Sequence, residues 1–207
     1  RKNLTYIWIN PVVREMYELE SLNRFLAEKG FCPIECRTDW GQTVREKYQA
    51  CIDASDRAVA DVRCPAAAAL LQSLPGHGGL KVPDIEPILL HCAREISGRP
   101  DLAGCRKLIT TPCQALAEAG NLLGLPDTEF VAWNDFLNRL GAAIPGRALK
   151  KSPIPPGFFK DIKKSCSISG PETVRSRLKE GRWEGVNVVE MLYCSEGCHN
   201  GDGVTAG

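Results

Sequence analysis

Val189-Glu190-Met191-Leu192-Tyr193-Cys194-Ser195-Glu196-Gly197-Cys198-His199-Asn200-Gly201-Asp202-Gly203 is the stretch that decides the fold. Val186 to Tyr193 is short, apolar and preceded by a glycine, which reads as a buried strand. Cys194 and Cys198 follow in Cys-x-x-x-Cys spacing, and a glycine-rich tail comes after them. A strand that ends this way carries two thiols to one end of a sheet. Two thiols are half of a four-ligand centre, so the other halves are sought at other strand ends.

Working outward, strands and helices alternate. Leu4 to Ile9 reads as a strand, with Pro11 suited to the start of a helix. Val13, Met16, Tyr17, Leu19, Leu22, Phe25 and Leu26 predict one amphipathic helix over Val12 to Glu28, ended by Gly30. Phe31 to Cys36 reads as the second strand, and Thr38 or Asp39 caps a helix to Ile52. Ala58 to Val62 is the third strand and Ala66 to Leu74 a helix stopped by Pro75-Gly76. Helices are then predicted over 83–96, 114–123, 134–143 and 172–180, and strands over 107–110, 129–132, 166–169 and 186–193. Strand–helix alternation at this spacing predicts an α/β fold of parallel βαβ units in two lobes. Pro145 to Lys164, with its prolines and lysines, reads as a linker or surface excursion.

Composition narrows the function classes. The 207 residues are 43% hydrophobic and 25% charged, enough for a proper core in one domain or two small lobes. A net charge of +1 gives no electrostatic case for nucleic acid or an anionic membrane. No apolar run reaches membrane-spanning length. Arg1-Lys2-Asn3 is not the start of a signal peptide and the chain lacks an initiator Met, so a fragment of a longer protein is expected. The sequon at Asn3 is read as a chance match. Ten cysteines in a chain with this much core point to reduced thiols in the cytoplasm rather than disulfide staples.

Cys64, Cys113 and Cys194 each close a predicted strand, and the first two lead directly into helices. In open parallel sheets the binding crevice lies beyond the carboxyl ends of the strands, so these thiols are expected to converge there, between the lobes. Helix N-termini after Cys64 and Cys113 favour thiolates. With Cys198 the set numbers four, which suits a 4Fe–4S cluster or structural zinc. Zinc-ribbon Cys-x-x-Cys pairs are absent from the set, which favours iron–sulfur. Arg63 is read as a fixed cation that raises the cluster's potential, or as the partner of Asp61 or Asp84. His199 is read as a hydrogen-bond donor to a cluster sulfur, or as a surface turn residue. Cys32, Cys36 and Cys51 could form a second centre, although 32 and 36 fall on one face of a strand and read as core; Cys92, Cys105 and Cys166 are read as core thiols. His91 reads as a packing histidine, His77 as exposed, and Lys150, Lys151, Lys160, Lys163 and Lys164 as a solvated face or a dock for an acidic partner.

These segments resemble the three cysteine motifs of the catalytic domain of iron-only (FeFe) hydrogenases. Arg63-Cys64-Pro65 is similar to the end of T-S-C-C-P, and Thr111 to Leu116 to M-P-C-x-x-K. Glu190 to Gly203 is similar to E-x-M-x-C-x-x-G-C-x-x-G-G-G, and Val82-Pro83-Asp84 stands where the family has S-P-Q. The resemblance implies a 4Fe–4S cluster on Cys64, Cys113, Cys194 and Cys198. The family's diiron subcluster with CO and CN ligands is not expected. Arg63 stands in place of the proton-delivering cysteine and Leu116 in place of the cyanide-holding lysine. Thr111 and Leu192 replace methionines, and Asp84 and Asp202 replace the glutamine and middle glycine of their motifs. The expected function is electron transfer or redox sensing without hydrogen catalysis. The partner would be an electron-transfer protein or an adjoining iron–sulfur or sensor domain. A divergent hydrogenase-like reductase using the cluster's open edge, and a structural metal-supported module, are the alternatives.

Overall fold

A computed structural model describes residues 4–205, so the charged start Arg1-Lys2-Asn3 and the Asn3 sequon lie outside the described residues. In chain order the elements are β1 (Thr5–Trp8), α1 (Pro11–Met16), α2 (Leu19–Glu28), β2 (Phe31–Pro33), α3 (Trp40–Asp53), β3 (Val59–Ala60), α4 (Pro65–Gln72), α5 (Ile88–Gly98), β4 (Arg106–Thr111), α6 (Gln114–Asn121), β5 (Thr128–Ala132), α7 (Trp133–Leu140), β6 (Ser165–Ser169), α8 (Pro171–Glu180) and β7 (Val188–Leu192). The fold is α/β, with parallel sheets and helical crossovers, as the alternation predicts. Two compact units share the chain: one holds the residues up to Thr38, Leu89–Ile154 and the residues from Cys198 onward; the other holds Asp39–Ile88 and Pro155–Gly197. No helix among the described residues is long and apolar enough to cross a membrane.

The first unit is built on a four-stranded parallel sheet in the order β2-β1-β4-β5. Ile7, Ile9, Val12, Val13, Leu22, Leu26, Leu108, Val131, Trp133 and Phe136 form its core, and Val204 from the glycine-rich tail joins them. Each such side chain, once fully buried, stabilises by about 1.5–3 kcal/mol, which holds the tail against the sheet. Asn10, fully buried, fixes the carboxyl ends of two strands. Its Oδ1 accepts Val13 N at the start of α1, and its own N–H groups donate to Thr110 Oγ1, which in turn donates to Trp8 O.

Several element boundaries differ from the sequence expectation, each for a local reason. The single helix expected over 12–28 is two, because Tyr17 is extended (φ −126°, ψ 153°) and Glu18 caps α2 by accepting Glu20 N and Ser21 N. Tyr17 Oη also accepts Trp133 Nε1 at 2.9 Å, a bond that stabilises the break. β2 ends at Pro33, not Cys36, so the strand alternation that put 32 and 36 in a core does not apply; both are half-buried. The helix expected from Pro83 begins at Ile88, since Pro87 biases the residue before it away from the α region.

The second unit has a three-stranded parallel sheet, β3-β7-β6, covered on both faces. Val189 and Met191 pack with Ala67, Leu71, Val174 and Leu178 of α4 and α8. Val59 and Val188 pack on the other face with Val44 and Tyr48 of α3 and with Phe159 and Ile162. This two-sided cover explains why all five residues of β7 are buried, including Glu190. The Pro-rich stretch 145–164, expected as a linker or surface excursion, also contributes core: Phe159 and Ile162 are buried in this unit, while Leu149 and Ile154 pack on the core of the other.

Candidate metal centre

In the three-stranded unit, β3 and β7 are parallel neighbours, with Val59 opposite Val188 and Ala60 opposite Val189. Their carboxyl ends lead to Cys64 and Cys194. Cys64 is the N-cap of α4, with Pro65 at the first helical position, and its side chain makes no capping hydrogen bond to the first turn. Burial pushes the Cys64 thiol up, while the backbone N–H groups of Ala67, Tyr193 and Ala66 pull it down. Burial outweighs them and the thiol is raised overall; one of the opposing N–H groups belongs to the residue before Cys194. Beyond Cys194 the chain turns tightly: Gly197 N donates to Cys194 O at 3.3 Å, Glu196 lies at φ +61° and Gly197 at φ +126°. Glycine at 197 is required by that backbone. Glu196 N also donates to Ser169 Oγ at the end of β6, which anchors the turn to the sheet.

The four-stranded unit holds the other two cysteines. Cys113 follows β4 as the extended N-cap of α6. Cys198 opens a short 3-10 turn, Cys198–Asn200, whose Cys198 O accepts Gly201 N at 3.0 Å. The glycine tail then lies against the Cys113 segment, with Gly203 N donating to Pro112 O at 3.0 Å. A Cβ at Gly201 would stand 2.3 Å from Pro112 O, and one at Gly203 would stand 2.9 Å from Cys113 N. Only glycine allows this approach of two backbones, so the last motif is physically joined to the second. Asp202, between the two glycines, accepts Gln114 N at 2.9 Å and satisfies an open N–H of α6. Sequence reasoning named Asp202 only as a departure from a glycine; its capping role depends on a helix start 88 residues away.

Arg63 sits among charged groups of the three-stranded unit. Its Nε and Nη2 donate to Asp61 Oδ1 and Oδ2 at 2.9 and 2.8 Å, and Glu190 Oε1 is 3.9 Å from Nη2. The guanidinium lies over the Phe158 ring, 3.9 Å from its centroid. Side-chain exposure is 8% for Arg63, 0% for Asp61 and 1% for Glu190, so the group is a buried ion network. Of the two roles read from the sequence for Arg63, the pairing with Asp61 is the one formed. Tyr48 Oη donates to Asp61 Oδ1 and accepts Val62 N, while Gly157 N donates to Glu190. Burial raises the Glu190 carboxyl above its ordinary value, against the pull of Gly157 N and Arg63. Tyr48 and the Gly157–Phe159 cover carry no motif that a sequence reading could use.

His199 is held through its backbone N, which donates to Ser152 Oγ at 3.4 Å. Its Nδ1 is buried without a hydrogen-bond partner among the described residues. No disulfide joins any of the ten cysteines. Each unit thus carries two of the expected set, Cys64 and Cys194 in one and Cys113 and Cys198 in the other. The division falls between Gly197 and Cys198. Among the described residues, no three or more His, Cys, Asp or Glu side chains are gathered as a metal-holding group. The donor chemistry nonetheless fits a thiolate-bound cluster: four soft ligands at helix starts and strand ends, backbone N–H groups that act to lower one thiol, and an orphaned imidazole nitrogen on the residue after another. Cys32, Cys36 and Cys51 do not form a second centre of three ligands.

Compared with known proteins, the chain matches no family model and no curated protein.

Proposed function

We propose that this chain binds one 4Fe–4S cluster through Cys64, Cys113, Cys194 and Cys198 and serves in cytoplasmic electron transfer or redox sensing. The partner is an electron-transfer protein or an adjoining iron–sulfur or sensor domain. The observation that carries the reading is the placing of Cys64 at the start of α4, where burial raises its thiol and the backbone N–H groups of Ala67, Tyr193 and Ala66 act in the opposite sense. Such donors stabilise thiolate charge and tune a cluster's potential. A cysteine kept only for packing needs none of them. The glycine seats at 201 and 203 support the same reading, because they press the Cys198 tail onto the backbone that carries Cys113. When bound, the cluster supplies one-electron storage. The chain's own residues hold it, and His199 offers Nδ1 beside Cys198.

Two placements speak against hydrogen catalysis. Leu116, where the resemblance has a cyanide-holding lysine, is 8% exposed and belongs to the buried side of α6. Arg63, where it has a proton-delivering cysteine, is committed to Asp61.

Iron and sulfide analysis with electron paramagnetic resonance, on protein purified and reconstituted without oxygen, tests the proposal. About four iron and four sulfide per chain and a reversible one-electron signal are expected. Cys64→Ser and Cys113→Ser are expected to lose most of the iron, while Cys166→Ser keeps it. Iron that never binds, or that C64S retains in full, overturns the reading. Stoichiometric zinc in place of iron would make the chain a structural metal module, and infrared bands of bound CO and CN would make it an enzyme.

A further inference from the structure

Cys36 and Cys92 lie outside the proposed ligand set and belong to the four-stranded unit. Residues 35–38 are laid over one face of α5. Arg99 Nη1 donates to Glu35 O at 3.1 Å, Arg37 N to Glu95 Oε1 at 2.6 Å, and Thr38 N to Glu95 Oε2 at 3.1 Å. Cys92, Glu95 and Arg99 follow one another at three- and four-residue steps, which places them along one helical face. Cys36 is therefore pinned on both sides above Cys92, which brings the two thiols close enough to shift one another's acidity. The proximity raises the Cys36 thiol and lowers the Cys92 thiol; burial and the Glu95 carboxylate oppose the lowering of Cys92, and the Arg14 cation adds to it. Of the two, Cys92 is the sulfur that loses its proton more readily. Cys92 is buried and Cys36 half-buried, so a small reagent reaches the pair more readily than a bulky one.

The position in the chain gives the pair a consequence. Cys36 stands two residues before the chain leaves this unit at Thr38, and Cys92 three residues after it returns at Leu89. A bond between them would close both ends of the Asp39–Ile88 excursion into one loop.

We propose that Cys36 and Cys92 are a redox-modification site, an intrachain dithiol that small hydroperoxides oxidise reversibly to a disulfide. The Cys92 thiolate attacks a peroxide oxygen and the O–O bond breaks. The leaving hydroxide takes a proton and departs as water, and Cys92 becomes a sulfenic acid. The Cys36 sulfur then attacks the Cys92 sulfur, the S–S bond forms, the S–O bond breaks, and a second water leaves. Two thiols give up two electrons and two protons, and one hydrogen peroxide becomes two waters. A dithiol reductant reverses the bond by exchange.

Peptide mapping of the whole protein after equimolar hydrogen peroxide tests this. Trypsin yields Gly30–Arg37, which holds Cys32 and Cys36, and Val82–Arg94, which holds Cys92 alone. The expected product is these two peptides cross-linked, formed equally in Cys32→Ser and reversed by dithiothreitol. Because the readout is specific to these peptides, it is independent of whether the other cysteines hold a cluster. Cys36→Ser is expected to leave a Cys92 sulfenate that dimedone traps. Recovery of the two peptides separately and unmodified, a link through Cys32, or an unmodified Cys92 in C36S would overturn the proposal.

Discussion

Replacing Arg63 with Met tests the buried ion network most directly. Met preserves an unbranched apolar stem over the Phe158 ring but removes the two side-chain bonds to Asp61. Asp61, with no exposed surface, keeps Tyr48 Oη and the backbone N of residue 63, but loses its countercharge. Removing one partner of a buried pair leaves an uncompensated charge and costs about 3–5 kcal/mol. Loss of the cation over the ring adds on the order of 1 kcal/mol. Against a typical total of about 5–15 kcal/mol, R63M should be severely destabilised at neutral pH. Urea titration followed by circular dichroism reads the loss as a fall in midpoint. The double variant R63M/D61N, which removes both formal charges, is expected to recover a large part of it. A loss below about 1 kcal/mol for R63M, or a double variant no better than the single, would refute the account of a charge pair sealed from solvent.

The same geometry sets other outcomes. Glu190 is raised above its ordinary value by burial, so it binds its proton more tightly when folded. Its contribution is fully present below the unfolded carboxyl pKa and is lost as pH rises through the folded value; E190Q should flatten that part of a urea-midpoint profile, and an unchanged profile would contradict the assignment. Gly203→Ala forces a Cβ to within 2.9 Å of backbone atoms of residues 112 and 113, and overpacking of this kind costs about 1–3 kcal/mol. Gly98→Ala, in the last turn of α5 with nothing within 4 Å, is the control and should be neutral or stabilising in the same denaturation assay. Asp202→Ala frees Gln114 N and should cost about 0.5–2 kcal/mol by thermal melting, with Asn restoring most of it.

What the sequence makes legible is what local pattern controls. Alternating strand and helix periods give both parallel sheets, because each period is written in consecutive residues. Pro65 and Asp39 are likewise local, and their helices start near where expected. The break at Tyr17 is not local: the 12–28 periodicity runs straight through it, and Trp133, 116 residues on, supplies a bond that stabilises it. The Pro-rich stretch 145–164 reads as linker because its apolar residues have no period. Phe159 is nevertheless 1% exposed, since it covers a sheet face whose buried Glu190 needs nearby N–H donors.

The cysteines show the same division between local and distant causes. Cys194 and Cys198 share their spacing with Cys32 and Cys36, but the three residues between 194 and 198 carry more than spacing. Gly197 takes a backbone closed to other residues, and immediately after it the chain passes from one unit to the other. The turn closed by Gly197 N on Cys194 O takes in Ser195 and Glu196, so a two-residue spacer would put the second cysteine at the closing position that Gly197 holds at φ +126°. The Cys-x-x-x-Cys separation is thus a demand of the path the chain must take, and the thiols at its two ends answer to different sheets: Cys194 to the strand end beside Cys64, Cys198 to the glycine tail seated on Pro112 and Cys113. No such punctuation marks Cys36 and Cys92. Their meeting depends on Glu95 and Arg99 holding a passing loop, a relation between residues roughly sixty apart that no short motif records.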